Sequence, residues 1–244
     1  IRNHKNDHSY FEERCLLTPL NKDVDLINES LTNKISGKTH VLYSVDEAKE
    51  VDLRDLYSVN LLNDQKPDGF PEHKLKLKVG MPVMLLRNLN CHRKLVNGSR
   101  FLVKEIRKYT ILVEDLAADE SGRRKTHVIH RIPFHSNESH ELDFTFTRLQ
   151  FPLRPCFALT INKSQGQGFE KVGVYLPSPV FAHGQLYVGI TRATSPHGLK
   201  ICIPGQPDPA TGKTRTENRV QYSVLPGTDL SKVPLAPVRP PSAW

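Results

Sequence analysis

Between residues 75 and 151 the sequence breaks into short β-prone runs separated by turn signals, and this rhythm limits the fold more than any other feature of the chain. The runs are 79–86, 100–106, 110–113, 126–133 and 144–151, with Asn97-Gly98 and Ser121-Gly122 among the turn signals between them. Runs this short, joined locally, favour antiparallel pairing, and five of them suffice for a small barrel. On both sides the pattern is different. Residues 14–17 form an apolar run that Thr18-Pro19-Leu20-Asn21 breaks, after which Val24, Ile27 and Leu31 recur on one helical face. Asn21 stands where a helix N-cap is expected, with Asp23 and Asp25 in the first turn, where the helix dipole favours negative charge. Further on, 156–161, 172–176 and 199–203 read as strands and 182–190 as a helix. The expected architecture is therefore an α/β domain, 11–74 and 152–225, interrupted by a small antiparallel β-barrel at 75–151. Within it, 36–74 reads as an irregular excursion with one short strand near 41–43. Residues 1–10 read as a disordered start. After a strand-like run at 219–225, residues 226–244 read as a Pro-rich tail.

The chain has 244 residues and a net charge of +8. Most of that charge sits in the expected barrel: from Lys76 to Phe151 there are 14 Lys and Arg against 8 Asp and Glu. A basic balance of this kind suits nucleic acid or an acidic membrane surface. No apolar run approaches the roughly 18–20 residues of a membrane span. The polar start lacks an initiator Met and a signal-peptide core, so the chain is expected to be a piece of a longer intracellular protein. Cys15, Cys91, Cys156 and Cys202 form no C-x-x-C pair, and His127, His130, His135 and His140 match no ligand spacing, so no metal site is expected and the cysteines read as reduced, buried thiols of a reducing compartment.

Three segments carry residues suited to chemistry. In 160–168, TINKSQGQG, a strand end feeds a polar loop in which Gly166 and Gly168 permit close approach of backbone to a phosphate, with Lys163, Ser164 and Gln165 as donors. An ordinary surface turn accounts for the same residues equally well. In 183–195, Leu186, Ile190 and Ala193 share a helical face, and Arg192 stands near its end. Such an arginine commonly faces the helix dipole; alternatively its fork of donors fits a phosphoryl group, worth about 10³–10⁵ in rate. Thr18 to Asn21, at a strand-to-helix turn, suits either a plain cap or a nucleic-acid phosphate. Gly212-Lys213-Thr214 resembles the end of a P-loop, but the glycine required five positions earlier is Pro207.

Taken in order, these segments resemble the petite-integration-frequency type of superfamily-one DNA helicase, including the helicase ends of Helitron transposons. RCLLTPLNKDVDLIN at 14–28 is similar to the family's motif IV, FALTINKSQGQG at 157–168 to motif V, and HGQLYVGITRATS at 183–195 to motif VI. GFPEHKLKLKVGMPVMLLRN at 69–88 resembles the approach to the inserted barrel, LVNGSRF at 95–101 a barrel turn, and 218–225 the closing strand. The resemblance implies a second RecA-like P-loop NTPase-type domain, a parallel sheet with helices, interrupted by a Src-homology-three-like barrel. It implies the C-terminal part of an ATP-dependent 5′-to-3′ helicase. Arg192 would be the arginine finger, Lys163, Gln165, Gly166 and Gly189 would serve the nucleotide, and Thr18, Asn21, Thr160, Asn162, Ser164 and His183 would touch DNA. Implied cofactors are ATP and Mg²⁺, bound jointly with an N-terminal RecA-like domain; implied partners are that domain and single-stranded DNA. The family's P-loop Lys and acidic magnesium pair match no segment here, so the chain by itself is expected to be inactive. The alternative is a non-catalytic fragment that binds single-stranded nucleic acid. The expected compartment is the nucleus first, the mitochondrion second.

Overall fold

The computed structural model describes residues 4, 6–48, 58–119, 121–136, 144–205, 211–212 and 214–219. In chain order the elements are α1 (His8–Glu13), β1 (Arg14–Thr18), α2 (Asn21–Lys34), β2 (His40–Tyr43), β3 (Val45–Ala48), α3 (Val59–Asp64), β4 (Lys74–Leu77), β5 (Pro82–Leu85), β6 (Arg100–Ile106), β7 (Thr110–Asp115), β8 (Thr126–His130), β9 (Ile132–His135), β10 (Phe146–Gln150), β11 (Leu153–Pro155), β12 (Ala158–Thr160), β13 (Lys171–Tyr175), α4 (Gln185–Ile190) and β14 (Leu199–Cys202). The expected strand-like run at 219–225 and the tail at 226–244 lie outside the described residues, Arg219 excepted.

Four strands form a parallel sheet in the order β12-β1-β13-β14. β1 lies between two strands that follow it by well over a hundred residues, so the chain leaves the sheet after Thr18 and returns at Ala158. α2 packs on β1 and β12, and α4 on β13. Leu17, Leu159, Ile161, Val172 and Val174 form the core beneath it. α2 differs from expectation in two ways. Its N-cap is Leu20, without a side-chain cap, so Asn21 is its first helical residue. Its buried positions are Val24, Asn28 and Thr32, with Ile27 and Leu31 only half-buried beside them.

The intervening chain is antiparallel. A five-stranded sheet runs β11-β5-β6-β7-β8 and encloses Val83, Phe101, Leu102, Val103, Ile111, Val113 and Ile129. The alternation in β8, with His127 and Ile129 inward and Thr126, Val128 and His130 outward, is that of a sheet with one wet face. The last of the five expected runs does not join this sheet. β10 pairs instead with β3 and β9, and β11 takes the remaining place beside β5. The reason is chemical: β10 points Arg148 and Gln150 inward, both fully buried, and these need polar partners that the aliphatic five-stranded core lacks. Arg148 finds them in Asp46 on β3 and in the carbonyls of Leu62, Asn63, Gln65 and Pro71. The expected irregular excursion, 36–74, thus contains β2, β3, α3 and the first residue of β4, and the buried Arg148 guanidinium ties β3 to α3 within it. The expected disordered start is also partly ordered. Asp7 caps α1 by accepting from the Tyr10 amide at 2.9 Å, and Phe11 is buried in the five-stranded core.

Candidate nucleotide and nucleic-acid interface

The C-terminal ends of parallel strands are where open α/β sheets expose loops to ligands. β1 ends at Thr18 and β12 at Thr160, and the Ile161 amide donates to the Thr18 carbonyl at 3.0 Å, so the two ends are locked side by side. A single 3-10 turn, Asn162–Ser164, follows β12 and leads to Gly166, which holds φ +81°, a backbone state that favours glycine. Three hydroxyls here face inward. Ser164 is fully buried and donates to the Ile161 carbonyl at 2.7 Å. Thr160 accepts from the Lys163 amide at 3.3 Å. Thr18 Oγ1 is buried without a partner among the described residues. Sequence reasoning set these three against DNA; the structure spends two of them on shaping the turn and encloses the third. Asn21, Asn162 and His183 are exposed, as are Lys163, Gln165 and Gly166.

Arg192 closes the other side. It follows α4 and is half-buried, and all three guanidinium nitrogens are engaged. Nε donates to the Val188 carbonyl at 3.1 Å, Nη1 to the Gln167 carbonyl at 3.0 Å and Nη2 to Thr191 Oγ1 at 3.2 Å. The Phe169 amide donates to the Arg192 carbonyl at 2.9 Å, and the Thr194 amide to the Phe169 carbonyl at 3.0 Å. The 162–168 loop and the end of α4 are therefore one hydrogen-bonded unit. Gln185, 2% exposed, adds a second tie that the sequence reading passed over: it donates to Asn162 Oδ1 at 3.4 Å and accepts from the Phe181 amide at 3.1 Å. Gly189, expected to serve a nucleotide, is buried with its missing Cβ directed at Ile161, 3.3 Å from Cδ1; its visible role is to let α4 pack closely.

Charge couples this loop to α2. Crowding around the Lys163 ammonium, and then the nearby Arg154, lower its pKa, opposed by Asp68 and Asp25. Arg154 pairs with Asp25 on α2, and Asn21 donates to Asp68 at 3.5 Å. A further exposed basic stretch is the 87–94 loop after β5, with Arg87, His92, Arg93 and Lys94. Among the described residues no group of three or more His, Cys, Asp or Glu is placed to hold a metal ion, and no helix is long and apolar enough to cross a membrane.

Comparison with known proteins shows what this arrangement is similar to. The family described as "DNA helicase Pif1, 2B domain" matches residues 60–106, from α3 to the end of β6. The human protein "ATP-dependent DNA helicase PIF1" is 32% identical over 189 residues, which cover 73% of this chain and 25% of that protein. Over about three quarters of its length the chain is similar to Pif1 helicases. The crystal structure of Pif1 helicase from Candida albicans superposes with a TM-score of 0.59 at 29% identity, covering 78% of this chain and 44% of that one. The crystal structure of Bacteroides Pif1 bound to ssDNA gives 0.56 at 23% identity, covering 79% and 43%, and so supports the fold alone. The chain thus spans about a quarter of the human Pif1 protein and under half of these solved Pif1 chains.

Proposed function

We propose that this chain supplies the second RecA-like motor domain, with an inserted Src-homology-three-like barrel, of a Pif1-type ATP-dependent helicase moving 5′ to 3′ on single-stranded DNA. The observation that carries this is the contact from Arg192 to the Gln167 carbonyl, which joins a candidate arginine finger to the 162–168 loop. The parallel sheet is the RecA-like part. The five-stranded sheet, with its basic 87–94 loop, is the barrel, and Asn21, Asn162 and His183 form the exposed part of the DNA track. The donors suit one side of a triphosphate: a guanidinium bonded to the Gln167 carbonyl, in a loop that also carries Lys163, Gln165 and Gly166. ATP with Mg²⁺ supplies the phosphoryl-transfer chemistry when bound, and an N-terminal RecA-like domain completes the site.

In this reading Arg192 holds the loop to α4 in the resting state. It exchanges its bonds to Gln167, Val188 and Thr191 for phosphate oxygens when the two motor domains close. Movement of that loop shifts Asn162, and with it the DNA contact. Arg192→Ala, in a protein joining this chain to a Pif1 N-terminal motor domain, lowers DNA-stimulated hydrolysis while DNA affinity stays within a few-fold; unchanged turnover would sink the assignment. The second reading, a binding fragment without catalysis, is favoured by the basic segment 76–151 and describes the chain alone. It predicts single-stranded DNA binding that weakens steeply with salt and no ATP hydrolysis.

A further inference from the structure

At the opposite end of the parallel strands from the 162–168 loop lies a cavity of about 430 Å³, between α1, β1, β13 and the turn preceding β14. Its size is that of a small-molecule site. Its floor is apolar, made by Phe11, Leu16, Leu31 and Phe157. Among the described residues its charged lining is cationic, Arg14, Arg100, Lys171 and Lys200, with His197 beside them and no Asp or Glu.

Three features make this more than a basic surface. Arg14 and Lys171 are register partners on adjacent strands, so two like charges stand side by side, an arrangement that costs energy without an anion between them. Neither Lys171 nor Lys200 has an ion-pair partner among the described residues; Arg14 is offset in part by Glu13 at 2.8 Å. Arg100 donates through Nη2 to the Phe11 and Arg14 carbonyls, yet its buried Nε has no hydrogen-bond partner among the described residues. Burial pushes the Cys15 thiol up to about 12, so it stays neutral and adds no competing negative charge to the wall.

We propose that this cavity binds a small amphiphilic anion, an alkyl or aryl body carrying a single carboxylate, sulfonate or phosphate head. The apolar body lies on Phe11, Leu16 and Phe157, and the head is drawn to the rim formed by Arg14, Lys171 and Lys200. The chemistry of the walls excludes a bare inorganic ion, which would leave the floor unused, and a neutral hydrocarbon, which would leave the cations unpaired.

The test uses 8-anilinonaphthalene-1-sulfonate, whose fluorescence rises in apolar surroundings, titrated into the 244-residue chain. The expected result is saturable binding at one site per chain, displaced by 2-naphthoate and decanoate but not by acetate or 2-naphthylmethanol. The double variant Lys171→Glu, Lys200→Glu weakens binding at least tenfold while melting at the wild-type temperature. Lys108→Glu, on the distant turn between β6 and β7, binds like wild type. Non-saturable binding, equal affinity in the double variant, or displacement by acetate as strong as by naphthoate each overturns the proposal. If the double variant fails to melt cooperatively, the single variant Lys200→Gln decides, with a loss of at least threefold expected and unchanged affinity overturning it.

Discussion

Replacing Asn28 with alanine tests how the strand that carries the 162–168 loop is held. Asn28 lies on the inner face of α2 at 4% exposure. Its amide nitrogen donates to the Pro155 and Ala158 carbonyls at 3.0 and 3.2 Å, and its oxygen accepts from the Phe157 and Ala158 amides at 3.0 and 2.9 Å. Among the described residues β12 is an edge of the parallel sheet, so this side chain takes the place of a further strand. Asn28→Ala strands two buried N–H groups and removes one partner from each of two carbonyls. At about 1.5 kcal/mol per orphaned N–H, with the carbonyls partly rehydrated, the loss is about 3 kcal/mol. For a chain of this size that lowers the melting temperature by roughly 6–12 °C. Asn28→Asp keeps the two acceptors but sets a carboxylate against two carbonyls. The folded state then favours the protonated acid, raising its pKa above the unfolded value. Its deficit against wild type is therefore smallest below the unfolded pKa and grows as pH rises towards the folded one. Urea unfolding of the three proteins at pH 4 and pH 7 measures both effects. A loss below about 0.5 kcal/mol for Asn28→Ala, the scale of an ordinary surface change, would refute the reasoning.

Other consequences are open to similar measurement. Asp46→Ala leaves the buried Arg148 guanidinium without its carboxylate and costs about 3–5 kcal/mol in chemical denaturation, whereas the pair Asp46→Ala, Arg148→Met costs less than the sum of the single changes. The hydrogen bond from His4, then that from the Tyr10 amide, bring the Asp7 pKa down to about 2, so its stabilisation of α1 is present above its ordinary value of 3.8 and fades as pH falls through about 2. Asp7→Ala accordingly costs about 0.5–1 kcal/mol at pH 7, and a pH-stability curve shows the difference closing in acid. If single-stranded DNA runs over the 87–94 loop, Arg93→Glu with Lys94→Glu reduces the slope of log affinity against log salt by about 1.4 at 0.7 per phosphate contact, read by fluorescence anisotropy.

The sequence displayed what local periodicity encodes. β6, β7 and β8 were legible from alternation and flanking turns, and β1, β12, β13 and β14 from apolar runs on either side of the inserted segment. The order of the motif segments pointed to the family. What stayed hidden depends on contacts distant in sequence. Asn28 and Arg148 look like solvent-facing residues until the chain segments they bind, 127–130 and 77–102 residues away, are brought to them. The destination of β10 followed from that same buried arginine. Within the candidate site, residue type singled out the loop and Arg192 but not orientation: Thr18, Thr160 and Ser164 carry hydroxyls suited to a phosphate, and only the fold shows that they point inward. Gln185 was quoted within its motif, yet nothing in the string distinguishes a buried tie from an exposed amide.

The central claim, that Arg192 and the 162–168 loop form the finger side of a Pif1-type motor, is tested most directly by ATP hydrolysis in the presence of single-stranded DNA. The protein to use is a Bacteroides Pif1 in which this chain replaces the corresponding segment, compared with its Arg192→Ala variant. The account predicts DNA-stimulated turnover in the first and a fall of about 10³-fold or more in the second, with DNA affinity nearly unchanged. Equal turnover in the two proteins would contradict it.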